Sequence, residues 1–386
     1  MNRPSNLVAV LAAMFTSLLL APVARAAAKA SGGGEYFVYI GTYTDKASKG
    51  IYAFRFEPST GKTTPLGLMA ETPNPAFLAV SPNHRFLYAV NWKGNDAVKG
   101  DTVSAYAIDP KTGKLTFLNK VESRGAMPTN LTIDHTGKTL LVVCYGGGNV
   151  TGYQILPDGR LSEPTAFDQH TGKSVHREPG PHAHGVIVSP DNRYAFVAEL
   201  GLDQVYTYRL NAAKGTLARS DPPFVQVPPG TGPRHLAIHP NGRFLYVNDE
   251  TRPAVTVFQV NEGKLQQIQE LPSVPPEYKG RNATAEIQID RAGKFVYVSN
   301  RGHDSIAVFA VDQAKGALTP VEHVSTKGKT PRNFSLDPTG SYLFAANQNS
   351  DTIYQFRVDP KTGRLTETGE VLQAPTPVCV LFVKAQ

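Results

Sequence analysis

One segment pattern recurs six times along this chain at intervals near fifty residues, and that repetition limits its possible folds more than any other feature. The pattern is an apolar run, a turn built on Pro, Asp, Asn or Gly, and a second run ending in polar residues. It reads AFLAVSPNHRFLYAVNW at 76–92, TNLTIDHTGKTLLVVCY at 129–145 and HGVIVSPDNRYAFVAEL at 184–200. It returns as RHLAIHPNGRFLYVNDE at 234–250, AEIQIDRAGKFVYVSNR at 285–301 and RNFSLDPTGSYLFAANQ at 332–348. The starts are 53, 55, 50, 51 and 47 residues apart. Two short apolar runs around a turn make a β-hairpin, and a period of this length marks a solenoid or propeller.

A seventh copy is split between the ends of the chain. VCVLFV (378–383) matches the first run, and YFVYIGT (36–42) matches the second. The C-terminal residues therefore supply the first strand of a blade begun at the N-terminus, which closes a ring and hides its free edges. A third run follows each hairpin, as in IYAFRF, VSAYAI and SIAVFAV. A looser fourth segment opens on Gly-x-Leu, as in GKLTF, GRLSE and GALTP. The expected fold is all-β: a seven-bladed β-propeller of four-stranded antiparallel blades, the last blade closed by the N- and C-terminal strands. The 34 Gly, 30 Pro, 18 Phe and 16 Tyr suit many short strands and turns. No sustained 3.6-residue stripe calls for long helices, and a pair of sandwiches fits poorly with registered copies and a split closing copy.

Residues 1–26 read as a secretory signal. Arg3 gives the positive start, Leu7 to Leu20 the short apolar stretch, and Ala24-Arg25-Ala26 the small-x-small cleavage pattern. Residues 27–34 read as a flexible linker and 35–386 as the propeller domain, in a periplasmic or secreted protein. The formal charge of +7 is spread thinly, without a Lys/Arg run. Nucleic-acid partners are not expected, nor membrane partners after cleavage; a monomer is. Cys144 and Cys379 fall in non-adjacent blades and are expected to be buried free thiols.

Antiparallel geometry places the start of each first strand and the end of each second strand on one face. Side chains there, from all seven blades, should meet at one mouth of the central channel. Four consecutive blades contribute His184, Glu199, Arg234, His235, Glu250, Glu286, Arg301 and Arg332, with Asn347 as a further rim contact. The other blades contribute mostly small, amide or aromatic groups. Such a lopsided cluster suits a small, polar, anionic molecule. Charged residues at strand ends are also common in solvated turns, so the convergence carries the reading and no single residue does. His182 and His184 form an H-x-H pair. It could hold a metal if both rings reached one ion, which strand alternation disfavours; substrate contact or catalysis is the preferred role, with no metal or cofactor. Trp92 reads as packing or as a stacking surface. A G-x-S-x-G elbow and a phosphate-cradling glycine loop are absent, so hydrolysis here would use activated water.

At these residues the chain resembles the β-propeller lactonase family, which contains 6-phosphogluconolactonases and related carboxymuconate-cyclising enzymes. The likeness spans about 35–386. It rests on YIGTYT (39–44), GPHAH (180–184), GPRHLAIHPNGRFLYVNDE (232–250), AEI (285–287), SNRGHDSIAVF (299–309) and TPRNFSLDPTGSYLFAANQ (330–348). The resemblance implies a lactonase with a His, Arg and Glu site: His182 or His184, Arg234 and Glu250, with Arg301 as an anion contact. The expected chemistry is ring opening by water. Glu250 or His184 acts as base, Arg234 steadies the oxyanion, and a protonated His182 or His235 serves the leaving oxygen. Arg301 and Arg332 hold a carboxylate or phosphate, while Glu199 and Glu286 orient their neighbours. An export signal favours gluconolactone or another unphosphorylated aldonolactone over a cytosolic sugar phosphate. A cycloisomerase using the same acid and base, and a non-catalytic exported ligand- or protein-binding propeller, are the alternatives.

Overall fold

The computed structural model describes residue 1 and residues 34–93, 101–173 and 180–386. Apart from Met1 and Gly34, the expected signal segment and linker lie outside the described residues. Within them are twenty-eight strands, β1 to β28 in chain order, forming seven four-stranded antiparallel sheets. Among these residues no helix is long and apolar enough to cross a bilayer.

The first strands are β4 (Pro75–Val80), β8 (Pro128–Ile133), β12 (Ala183–Val188), β16 (Pro233–Ile238), β20 (Ala283–Ile289), β24 (Pro331–Leu336) and β28 (Pro377–Lys384). Each touches the first strand of both neighbouring blades, with β28 meeting β24 on one side and β4 on the other. The ring is closed. The closing blade has the order β28-β1-β2-β3, with β1 at Tyr36–Thr42, β2 at Gly50–Glu57 and β3 at Lys62–Glu71. Its register pairs Tyr36 with Lys384 and Ile40 with Val380. The split blade expected from the sequence is present.

The second strands read as unbroken apolar runs because neighbouring blades cover both of their faces. FLYAVN, TLLVVC, YAFVAE, FLYVND and YLFAAN are buried at every position. The core is therefore not one mass but seven apolar slabs, one at each blade boundary. One such slab joins Val90 and Val103 of one blade to Leu131, Leu140 and Val142 of the next. Each buried aliphatic side chain contributes about 1.5–3 kcal/mol, so no blade is stable without its neighbours.

A polar lock repeats beside the slabs. The hydroxyls of Tyr39, Tyr88, Tyr246 and Tyr297 donate to the carbonyls of Gly113, Gly159, Gly316 and Gly363, at 2.6, 2.9, 3.1 and 3.0 Å. Each glycine opens the outer strand of the following blade. At Gly316 the backbone is left-handed (φ 71°), and a Cβ would lie 2.2 Å from the Phe244 ring. The Gly-x-Leu signature is thus a docking point between blades. Cys144 and Cys379 are buried free thiols, as expected.

Candidate active site

Two positional rules, repeated around the ring, build the site. The first is a β-bulge near the start of every first strand. In β8, β12, β16, β24 and β28 the pairing register skips one residue: Thr129, His184, Arg234, Arg332 and Val378. In β4 and β20 it skips Ala76–Phe77 and Ala285–Glu286. A bulge removes a residue from the ladder and re-aims its side chain. All of these residues except Ala285 and Glu286 line a single cavity of about 210 Å³ at one mouth of the channel.

The second rule concerns the far end of the hairpin, and it corrects two expectations by one residue of register. In the second strands, the last inward-packed residue is Thr42 in β1, then Asn91, Cys144, Glu199, Asp249, Asn300 and Asn347 in the others. All seven are buried between blades. The residue that follows turns toward the mouth, and in four blades it lines the cavity as Tyr43, Trp92, Tyr145 or Glu250. Backbone bonds such as Glu250 N to the Gly232 carbonyl (2.7 Å) and Tyr145 N to that of Met127 (2.8 Å) pin this position. Glu199 and Asn347 therefore do not reach the cavity. Asn347 donates to the Thr326 carbonyl at 2.9 Å. The Glu199 carboxylate accepts from His170 and from the backbone of His182. A one-residue step reverses which way a strand's side chain points, and ranges read from sequence did not resolve that step.

The charged groups that do converge form one chain. Glu250 Oε2 lies 2.8 Å from Arg234 Nε, and its Oε1 lies 2.9 Å from Arg301 Nη2. Burial alone would raise the Glu250 carboxyl, but Arg301 and Arg234 outweigh it and hold it at about 2. Arg234 is buried, which pushes its guanidinium down to about 9 and leaves it a cation across the neutral range. Its Nη1 donates to the Ala285 carbonyl and, at 3.2 Å, to His235 Nε2. Arginine has no acceptor, so His235 Nε2 must be unprotonated. Its proton sits on Nδ1, facing Glu286 Oε2 at 3.3 Å. His235 is therefore a fixed neutral tautomer, and burial and Arg234 lower its pKa. Its one N–H faces Glu286, so this arrangement does not favour the acid role expected for it. Glu286 sits beneath it and also accepts from Asn333 Nδ2 at 2.5 Å, while Asn333 Oδ1 accepts from Val380 N of the closing strand at 2.8 Å.

His184 stands opposite. Its Nε2 is 3.8 Å from Glu250 Oε2, and its ring meets Tyr145 and His235 edge-on at 5.5 and 5.1 Å. Burial, then Arg234, His235 and Arg332, push its pKa well below the ordinary histidine value, so the imidazole is neutral at pH 7. His182 is not in the cavity wall. It stacks on Tyr145 (4.4 Å, 25°) and donates from Nδ1 to the Tyr145 carbonyl at 2.8 Å. The two histidine rings pack against one tyrosine instead of converging on an ion. Among the described residues no group of three or more metal-ligating side chains is assembled. Arg332 lines the cavity with its guanidinium over the Tyr43 ring at 5.3 Å, and it has no ion-pair partner among the described residues. Tyr43 in turn meets Trp92 edge-on at 5.8 Å. Tyr43, Tyr145 and Asn333 escaped the sequence reading as functional residues, although the repeat register alone would have found the two tyrosines.

The sequence family described as a seven-bladed β-propeller lactonase matches residues 37–382. The chain belongs to that family. It is 37% identical over 303 residues to a 6-phosphogluconolactonase of Bacillus subtilis, covering 78% of this chain and 84% of that one. A 6-phosphogluconolactonase of Formosa agariphila is 31% identical over 305 residues, covering 78% and 86%. Among solved structures, a periplasmic gluconolactonase of Pseudomonas aeruginosa superposes with a TM-score of 0.85 at 34% identity, over 91% of this chain and 100% of that one.

Proposed function

We propose that this chain is an exported lactonase that opens an aldonolactone with water, using His184 as the base. The observation that carries this reading is the 3.8 Å approach of a neutral, buried His184 to Glu250, ionised at neutral pH, beside the Arg234 guanidinium in one small cavity. Glu250 is a poor base, because its two arginines would have to release it before it took a proton. Its charge instead favours the imidazolium that forms when His184 takes a proton from water. The water oxygen bonds to the lactone carbonyl carbon, and the carbonyl electrons move onto oxygen. Arg234 is the donor for that oxyanion: Nε and Nη1 have protein partners, and Nη2 is left for the cavity. The carbon to ring-oxygen bond then breaks, and the departing oxygen takes the proton back from His184. One histidine serves both steps, so no second acid is required. His182 steadies Tyr145 and contacts no reacting atom.

Arg332 is the group for a substrate or product anion, and Arg301 supports it through Glu250. The aromatic wall of Tyr43, Trp92 and Tyr145 suits the carbon face of a sugar ring. The signal-like residues 1–26 and the periplasmic gluconolactonase relative both support an unphosphorylated lactone met outside the cytosol. The test is a panel of aldonolactones, with and without phosphate, followed by acid release. His184→Gln is expected to lower kcat by about 10²–10⁴-fold, and Arg234→Gln by about 10²–10³-fold. A folded His184→Gln variant that opens the preferred lactone at the wild-type rate would overturn the assignment.

A further inference from the structure

A polar chain that starts at the surface and ends buried between two blades lies outside the cavity and is not used by the chemistry above. It runs from Arg219 to Asp168, Tyr208, His170 and Glu199. Arg219 grips Asp168 with two bonds, Nε to Oδ2 at 2.7 Å and Nη2 to Oδ1 at 3.1 Å. The Tyr208 hydroxyl donates to Asp168 Oδ2 at 2.7 Å. Its oxygen lies 2.7 Å from His170 Nε2, and His170 Nδ1 lies 2.5 Å from Glu199 Oε2. Glu199 Oε1 accepts from the backbone N–H of His182. His170 and Glu199 are sealed from solvent.

Counting donors limits where the protons can sit. Tyr208 has one hydrogen, and it goes to Asp168, so the phenol oxygen must accept from His170 Nε2–H. At the other ring nitrogen His170 meets a carboxylate oxygen. The ring thus faces an acceptor on each side, and a charged imidazolium against an ionised Glu199 satisfies every contact. His170 also stacks flat on Tyr206 at 4.0 Å and 2°, an arrangement that favours a cation.

The same place in other blades shows what is unusual. There an Asn at the end of the second strand donates to the residue that ends the preceding blade: Asn91 to Thr72 Oγ1, Asn300 to the Ser273 carbonyl, Asn347 to the Thr326 carbonyl. These ties hold blade to blade. Glu199 has no hydrogen to give when ionised, so the polarity is inverted, and the preceding blade supplies a donor, His170. The inversion lets Glu199 accept from the His182 backbone as well. His182 then holds the Tyr145 carbonyl and stacks on its ring, and Tyr145 lies edge-on to His184.

We infer that Glu199 and His170 are positioning residues for the lactonase reaction: a buried imidazolium–carboxylate pair that fixes the His182–Ala183–His184 bulge and so sets the aim of His184. This rests on the lactonase reading, and the experiment separates the two. In Glu199→Gln, the amide oxygen still accepts from the His182 N–H, while the amide nitrogen donates to His170 Nδ1. The geometry is kept and His170 loses one proton. Glu199→Ala removes the anchor altogether.

Nitrogen-15 NMR of the histidine rings reads the pair without any substrate. The wild type is expected to show His170 with both nitrogens protonated, and Glu199→Gln to show Nδ1 bare. Kinetics read the positioning. Glu199→Ala should lower kcat by about 10–100-fold with little change in KM, since misplacing a reacting group by an ångström costs on that order. Glu199→Gln should restore most of kcat. A His170 that is singly protonated in the folded wild type, or a folded Glu199→Ala enzyme with wild-type kcat, would overturn the proposal. Wild-type protein that opens no lactone but shows the doubly protonated His170 would sink the lactonase reading and the positioning role while leaving the pair itself in place.

Discussion

At the scale of single residues, buried carboxylates such as Glu286, Asp134 and Asp203 are met by an ion pair or by several hydrogen bonds, whereas Asp249 is met by one. Asp249 sits at the blade-to-blade tie position, but the residue ending its preceding blade is Val227, which offers no polar side chain. Its Oδ2 accepts from Thr256 at 2.7 Å, and its Oδ1 has no partner. Burial raises its carboxyl well above the ordinary value. A raised acid favours the folded state below its unfolded pKa of about 4, and that contribution is lost as pH rises through the folded value. Asp249→Asn places there the side chain that Asn91, Asn300 and Asn347 provide elsewhere. Thermal and denaturant unfolding at pH 7 should show the variant more stable, on the order of 1–3 kcal/mol, with the gain shrinking toward pH 4; equal stability at pH 7 would contradict the account. Glu250 behaves oppositely. Its depressed carboxyl stabilises the fold above its unfolded pKa of about 4.3, and that contribution is lost as pH falls toward about 2. Removing its charge leaves two buried arginines facing each other, so Glu250→Gln should cost about 3–5 kcal/mol, measurable by urea unfolding. His184, held neutral, gives the expected pH–rate profile no acid limb near 6.5; a limb there in kcat/KM would argue against His184 as the base.

At the scale of strands, the hairpin with its bulge is the functional unit. The same bulge recurs around the ring, and its occupant is Thr, His, Arg, Arg or Val where one residue is skipped. In those five blades one residue at a repeated bulge sets what the blade presents to the mouth. The outer hairpins do structural work through their glycines. Gly316→Ala adds a Cβ at a left-handed φ and against Phe244, and it disturbs the carbonyl that Tyr246 holds. It should destabilise by at least about 2 kcal/mol while leaving KM unchanged, because the position is remote from the cavity. A neutral effect on the melting midpoint would show that the Tyr–Gly lock is dispensable.

At the scale of the whole molecule, closure and catalysis share a strand. β28 completes the ring, places Val378 in the cavity wall and uses Val380 N to hold Asn333, which holds Glu286 beneath His235. A chain ending at Thr376 is expected to lose its cooperative thermal transition and its activity, and a peptide of residues 377–386 added in trans to restore both. A truncated chain that melts like the full-length protein would show that ring closure does not carry the stability. The reason is the distribution of the core: seven slabs each need both neighbours, so one missing inner strand exposes two of them.

The sequence by itself determined the architecture. The fifty-residue period, the split seventh copy and the apolar second strands left one topology, because blades buried on both faces must be continuous apolar runs and a ring must close. It also gathered His184, Arg234, His235, Glu250 and Arg332 at one mouth, since hairpin geometry puts strand starts and ends together. What only the tertiary structure decided was direction and protonation. Bulges and a one-residue step send Glu250 into the cavity and Glu199 into the blade boundary, and the period-2 alternation of a strand makes that step invisible to a motif spanning both. Arg234 against His235, and Tyr208 against His170, decide which nitrogens carry hydrogens. Tyr208 and His170 come from separate blades, and Arg234 reaches its own neighbour His235 beside a bulge that takes it out of the ladder, so a proton's position follows from folded geometry that the order of residues does not display.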